Sequence, residues 1–129
     1  MSKLEDIVPP LELCRRIPAG RFEESALAWG RDVNEGEFFV YPREDIIDIV
    51  SPAPTLAEIL AKLPAAINGV GVLELALDDR AENNAGRYVI CYNRYGVDSA
   101  LEETTQLESD NNPATAALRL WLWLKGIEK

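Results

Sequence analysis

One stretch near the end of the sequence constrains this chain more than any other: residues 112–125, N-P-A-T-A-A-L-R-L-W-L-W-L-K. Its ends are written for a helix. Asn112 caps the first free N–H groups, and Pro113 suits the first helical position, where its missing N–H removes nothing needed. Gly126 follows as a left-handed stop, and Lys125 complements the negative end of the dipole. At ~100° per residue, Ala114, Ala117, Leu118, Leu120, Trp121 and Leu124 share one broad face. Thr115 and Arg119 mark the opposite side, but Leu122 lies beside Thr115, and Ala116 and Trp123 lie just past Arg119. Trp121 and Trp123 sit ~200° apart and cannot both face one sheet.

A single sheet covers only one stripe of such a helix. The rest must be covered by more of this chain, by a second copy or by a partner. Ala116, Arg119, Leu122 and Trp123 are the candidate interface, and a homodimer through this helix or its border is expected. The competing expectation is that residues 1–10, with Leu4, Ile7 and Val8, fold back over it within one chain.

The chain of 129 residues suits one domain, burying roughly two thirds of its unfolded surface. Residues 1–9 read as a loose arm, ended by Pro9 and Pro10. Residues 11–17 (L-E-L-C-R-R-I) form a short helix stopped by Pro18 and Gly20. Strands are predicted at 25–30, 37–41, 70–77, 87–93 and, more polar and at an edge, 98–108. Residues 45–50 fit a strand or a helical turn, and their β-branched content favours the strand. Thr55 and Glu58 make a capping box for a helix whose buried stripe is Leu56, Ile59, Leu60 and Leu63. Gly69 and Gly71 let the chain turn tightly.

E-L-C-R-R-I-P at 12–18 aligns without gaps on E-I-L-A-K-L-P at 58–64, and strand, turn, strand follows each. Either short amphipathic helices converge on this pattern or the chain holds two α-β-β units. In both cases the class is α+β: a mostly antiparallel sheet, short N-terminal and central helices, and an apolar C-terminal helix packed on it. The expected core is Leu13, Ile17, Leu27, Phe39, Ile59, Leu63, Leu73, Leu75, Ile90, Leu118, Trp121 and Leu124.

Three segments in this order form a recognisable set: L-E-L-C-R-R leading to A-L-A-W, then A-P-T-L-A-E-I-L-A-K-L-P, then N-P-A-T-A-A-L-R-L-W-L-W-L-K. The set resembles small bacteriophage and prophage proteins of unassigned function. Their similar segments are an L-E-L-A-K-K-L type helix, a T-x-A-E-L-x-x-x-L-P helix and an E-A-D-A-R-A-K-M-L-I-Y-L type final helix. The likeness spans most of the chain through three short, largely apolar segments. It implies no activity and offers no catalytic motif to carry over. The chain departs from the pattern in its Trp121 and Trp123 pair and its Pro-rich connector at 51–54.

The chemistry that is missing narrows the function. The chain has no histidine, which removes Ser-His-Asp and Cys-His nucleophile systems and most zinc sites. No phosphate-loop motif occurs. A net charge of −9 argues against direct binding to nucleic acid or anionic lipid. No run approaches the ~18 apolar residues of a membrane helix, and the opening M-S-K-L is no secretory signal. A cytoplasmic protein is expected, in the host cytoplasm if phage-encoded. Cys14 and Cys91 lack metal-type spacing and read as two buried thiols.

Three constellations remain. Asp78, Asp79 and Glu82, with Asn83 and Asn84, offer oxygen ligands but lack the spacing of a calcium loop. Paired carboxylates could serve hydrolysis, and Cys91 has no basic neighbour before Arg94 to activate it. No cofactor, no metal and no catalytic residue is therefore expected. The leading reading is a non-enzymatic protein-interaction module, a phage accessory protein acting on a host or phage protein. The alternatives are an acidic nucleic-acid mimic and a small carboxylate-dependent enzyme or ligand-binding domain.

Overall fold

β1 (Leu27–Arg31) is the centre of the first sheet. It pairs antiparallel with β2 (Phe38–Pro42) on one side and β3 (Ile49–Pro52) on the other. The computed structural model describes residues 4–32, 34, 36–77 and 88–126. Before this sheet come a 3₁₀ turn, Leu4–Ile7, and α1 (Leu11–Cys14). After it come α2 (Leu56–Lys62), the hairpin strands β4 (Ala66–Ile67) and β5 (Gly71–Leu77), then β6 (Tyr88–Tyr95), β7 (Leu101–Asp110) and α3 (Pro113–Leu124). The second sheet runs in the order β4-β5-β6-β7, antiparallel throughout. The class is α+β, with the expected single sheet divided into two.

Each short helix thus feeds its own antiparallel sheet. The strand orders differ, β2-β1-β3 against a simple meander, so the likeness between the two segments stops at the order of their elements. The expected capping box is present: Thr55 Oγ1 accepts from the Glu58 N–H while the Glu58 carboxylate accepts from the Thr55 N–H. Residues 45–50 divide between both expectations, a 3₁₀ turn at Arg43–Asp45 and a strand from Ile49.

α3 lies at the centre of the core. It packs on β6 and β7 and also meets α2 and α1. Ala114 to Leu118 and Leu120 to Leu122 are all buried. The buried cluster runs without a break from Val8, Leu13, Phe22, Trp29 and Val40 through α3 to Ile90 and Tyr92.

Residues 1–9 do not form the expected loose arm from Leu4 onward. Val8 and Pro9 are fully buried. The Val8 carbonyl accepts from Asn112 Nδ2 at 2.8 Å, and the Pro9 carbonyl accepts from Trp29 Nε1 at 3.2 Å. The segment is a strap joining β1 to the start of α3, and Leu4 packs against the same core.

Two expected core residues are displaced. Leu75 is 39% exposed, although it pairs with the buried Ile90 and shares its face. The face was read correctly, but α3 covers β6 and β7, and β5 lies one strand beyond its reach. Phe39 is half-buried, and its neighbour Val40 takes the core position, a one-residue change of phase that exchanges the two faces of a strand.

Candidate functional site

Ala116 and Leu122, two of the four residues read as an interface, have no exposed surface. The strap, the short helices and β6 and β7 cover the sides of α3 that periodicity left open. Arg119 is half-buried and tied back to the fold, its Nη1 3.4 Å from the Asp110 carboxylate at the end of β7. Trp123 is partly buried against the core cluster. The four do not form a shared outer surface, and the exposed chemistry lies elsewhere.

The site begins where α1 ends. After Cys14 the chain turns twice, with Arg16 N–H donating to Leu13 O and Ile17 N–H to Cys14 O. Pro18 then blocks further helix, and Gly20 and Phe22 adopt left-handed backbone (φ 90° and 58°). Ile17 and Phe22 point inward and hold this turn, Phe22 meeting Trp121 edge-on with ring centroids 4.9 Å apart. Anchoring the apolar side chains leaves Arg15 and Arg21 on the outside. The opposite wall is β3, with Ile49, Val50, Ser51 and Pro52, and Arg43 completes the lining. The result is an open cleft of about 360 Å³.

Each guanidinium is held. Arg15 lies over the Phe38 ring at 5.3 Å and Arg21 over the Trp121 ring at 5.8 Å, contacts in which the ring face attracts the cation. Arg43 donates to the Ser25 and Phe22 carbonyls and to Ser25 Oγ, at 3.1–3.3 Å. None of the three forms an ion pair with a carboxylate among the described residues. Glu23 also lines the cleft and pairs with none of them.

Other cations among the described residues do form ion pairs, while Lys125, like Arg21, lies over the Trp121 ring, at 5.9 Å. Arg31 pairs with Asp48, Arg94 with Glu103, Arg119 with Asp110 and Lys62 with Glu24. In a chain with 22 acids against 13 bases, partners for arginine are abundant. Three arginines without an ion pair among the described residues line a single cleft of an acidic molecule, with Glu23 in the same lining.

Glu74, Cys91 and Cys14 are accounted for within the fold. On the outer face of the second sheet, Glu74 accepts from Tyr95 OH and from Asn93 Nδ2, both at 2.7 Å, and Asn93 Oδ1 accepts from Thr104 Oγ1. The Tyr95 bond, then the Asn93 bond, holds the Glu74 carboxyl below the usual carboxylate range. Glu74 therefore stays ionised with both oxygens engaged, the opposite of a general acid. Burial, then the nearby Glu74 charge, pushes the Cys91 thiol up, and burial pushes Cys14 up to about 12. Both remain thiols, not nucleophilic thiolates. A shallower depression over the β4–β5 hairpin includes Arg94, which is already paired. Asp78, Asp79, Glu82, Asn83 and Asn84 lie outside the described residues. Among the described residues, no cluster of three or more Cys, Asp or Glu could hold a metal, and no helix is long and apolar enough to cross a membrane.

No protein-family model, curated protein or solved structure matches the chain. The arginine cleft was not visible in the sequence. Its one signal is that Arg15, Arg16 and Arg21 crowd a turn-rich stretch of an otherwise acidic chain. Nothing in the spacing says that β3 and Arg43 fold back against that stretch.

Proposed function

We propose that this protein is a non-enzymatic interaction module that docks a partner protein across the arginine-lined cleft. The observation that carries this reading is the set Arg15, Arg21 and Arg43, three arginines lining one opening with no carboxylate in ion-pair contact among the described residues. Exposed Ile49 lines it and exposed Phe38 lies under Arg15, and arginine and aromatic groups are the side chains that dominate contact energies between proteins. The absence of histidine, the protonated thiols and the occupied Glu74 favour binding over catalysis. An acidic nucleic-acid mimic fits less well, because Glu24, Asp48, Glu103 and Asp110 are used in internal ion pairs and the cleft has the wrong sign. A second copy docking through α3 fits less well for the reason already given: Ala116 and Leu122 are enclosed. The resemblance to small phage proteins makes host and phage proteins the first partners to test.

A photo-crosslinking amino acid at Phe38 tests the reading, with the same group at the exposed Leu107, on a different strand, as control. A discrete crosslinked protein is expected at position 38 and not at 107. Equal, diffuse labelling at both positions would overturn it.

A further inference from the structure

We infer that the element docked in the cleft is an acidic peptide segment of the partner, one in which Asp or Glu side chains alternate with aliphatic ones. The inference rests on the interaction-module reading and specifies the chemistry of its contact. Charge is the first argument. Among the described residues no carboxylate is in ion-pair contact with Arg15, Arg21 or Arg43, although the Arg43 charge also acts on Glu24, and a guanidinium fork matches a carboxylate with two parallel hydrogen bonds.

Preorganisation is the second. Arg15 and Arg21 each rest over an aromatic ring, Phe38 and Trp121, contacts that do not consume their N–H donors. Arg43 is fixed by Ser25 and Phe22. These contacts lower the side-chain entropy that binding would cost.

The lining gives the third argument. Pro18, Ile49, Val50 and Pro52 line the cleft with the cations, and an isolated phosphate would leave that apolar surface uncovered. A volume of about 360 Å³ stands near the lower end of the ~300–1,000 Å³ of ligand clefts. It accepts a few side chains of a segment, not a folded domain. The three cations also come from separate places, the end of α1, the turn after it and the 3₁₀ turn before β3, which suits carboxylates spaced along a chain.

The test is fluorescence anisotropy of the full chain with a labelled peptide alternating Glu and Leu. A Gln-for-Glu peptide, a phosphoserine peptide and a single-stranded oligonucleotide serve as competitors. The Glu peptide should bind, weaken as salt is raised, and outcompete the other three. Arg15→Glu with Arg21→Glu should weaken it by at least roughly tenfold, since a hydrogen bond to a charged group is worth ~1.5–3 kcal/mol. Both side chains are exposed, so a thermal melt should show the fold intact. Should the double variant unfold, Ile49→Asp places a carboxylate on the exposed rim and should produce the same loss. Equal binding of the Glu and Gln peptides, or preference for phosphoserine or the oligonucleotide, would overturn the inference. A crosslinked partner at position 38 that survives the double charge reversal would do so too, while leaving the interaction module standing.

Discussion

Asn112 secures two backbone groups with one side chain. Its Oδ1 accepts the Ala114 N–H at 2.9 Å, and its Nδ2 donates to the Val8 carbonyl at 2.8 Å. Asn112→Ala loses the cap and the tie to the strap together, and should cost ~1–3 kcal/mol in urea unfolding. Asn112→Asp keeps the acceptor and loses the donor, so it should recover only the cap's share. An Ala variant as stable as the wild type would mean that the strap is held without this bond. Cys14 makes a different test. Burial raises its folded pKa from 9.0 to about 12, opposed by its contact with Trp29. Its stabilisation is fully present below pH 9 and is lost as pH rises from 9 toward about 12, at up to ~1.4 kcal/mol per pH unit. Cys14→Ala should therefore lose stability less steeply than wild type across that window. Tyr92, Tyr95 and Cys91, also raised, act in both proteins and cancel in the difference. Parallel curves would show that Cys14 titrates alike folded and unfolded.

At the scale of elements, α3 was legible in its ends and not in its surroundings. The Asn112 cap, Pro113 at the first position and Gly126 in left-handed backbone (φ 76°) are where the sequence places them. These are local chemistry, and local chemistry is written in neighbouring residues. That the helix is apolar nearly all round was also legible. Periodicity reports how many faces need cover, however, and not what supplies it. The cover comes from Val8, about a hundred residues earlier in the chain, and from α1 and α2. β5 shows the same limit from the other side. Leu73, Leu75 and Leu77 share the face of Tyr92, Ile90 and Tyr88 as their alternation requires, but only the position of α3 decides which strands lie beneath it. Leu122→Ala, a truncation at a fully buried site, should cost ~2–5 kcal/mol. Leu75→Ala should cost less than about 1 kcal/mol, as at a surface position. Comparable losses from the two in chemical denaturation would mean that β5 is covered by something other than α3.

For the whole molecule, enclosure of α3 and exposure of the arginine cleft are two results of one arrangement. The strap and the turn after α1 send Val8, Ile17 and Phe22 into the core that holds the final helix, Phe22 directly against Trp121, and the same turn leaves Arg15 and Arg21 outward. A chain that used α3 as its contact surface would need that turn displaced. Sedimentation should therefore show a single species near 14.3 kDa at tens of micromolar, roughly where a ~1 µM dimer would be mostly assembled. Trp123→Lys tests the same point within the fold. Trp123 is partly buried on the core, so its loss should lower stability by roughly 1–2 kcal/mol while the sedimentation coefficient stays unchanged. A wild-type dimer that Trp123→Lys dissolves into folded monomers would return the border of α3 to the role of interface. A wild-type dimer that survives Trp123→Lys but yields to Arg15→Glu with Arg21→Glu would identify the occupant of the cleft as an acidic segment of a second copy.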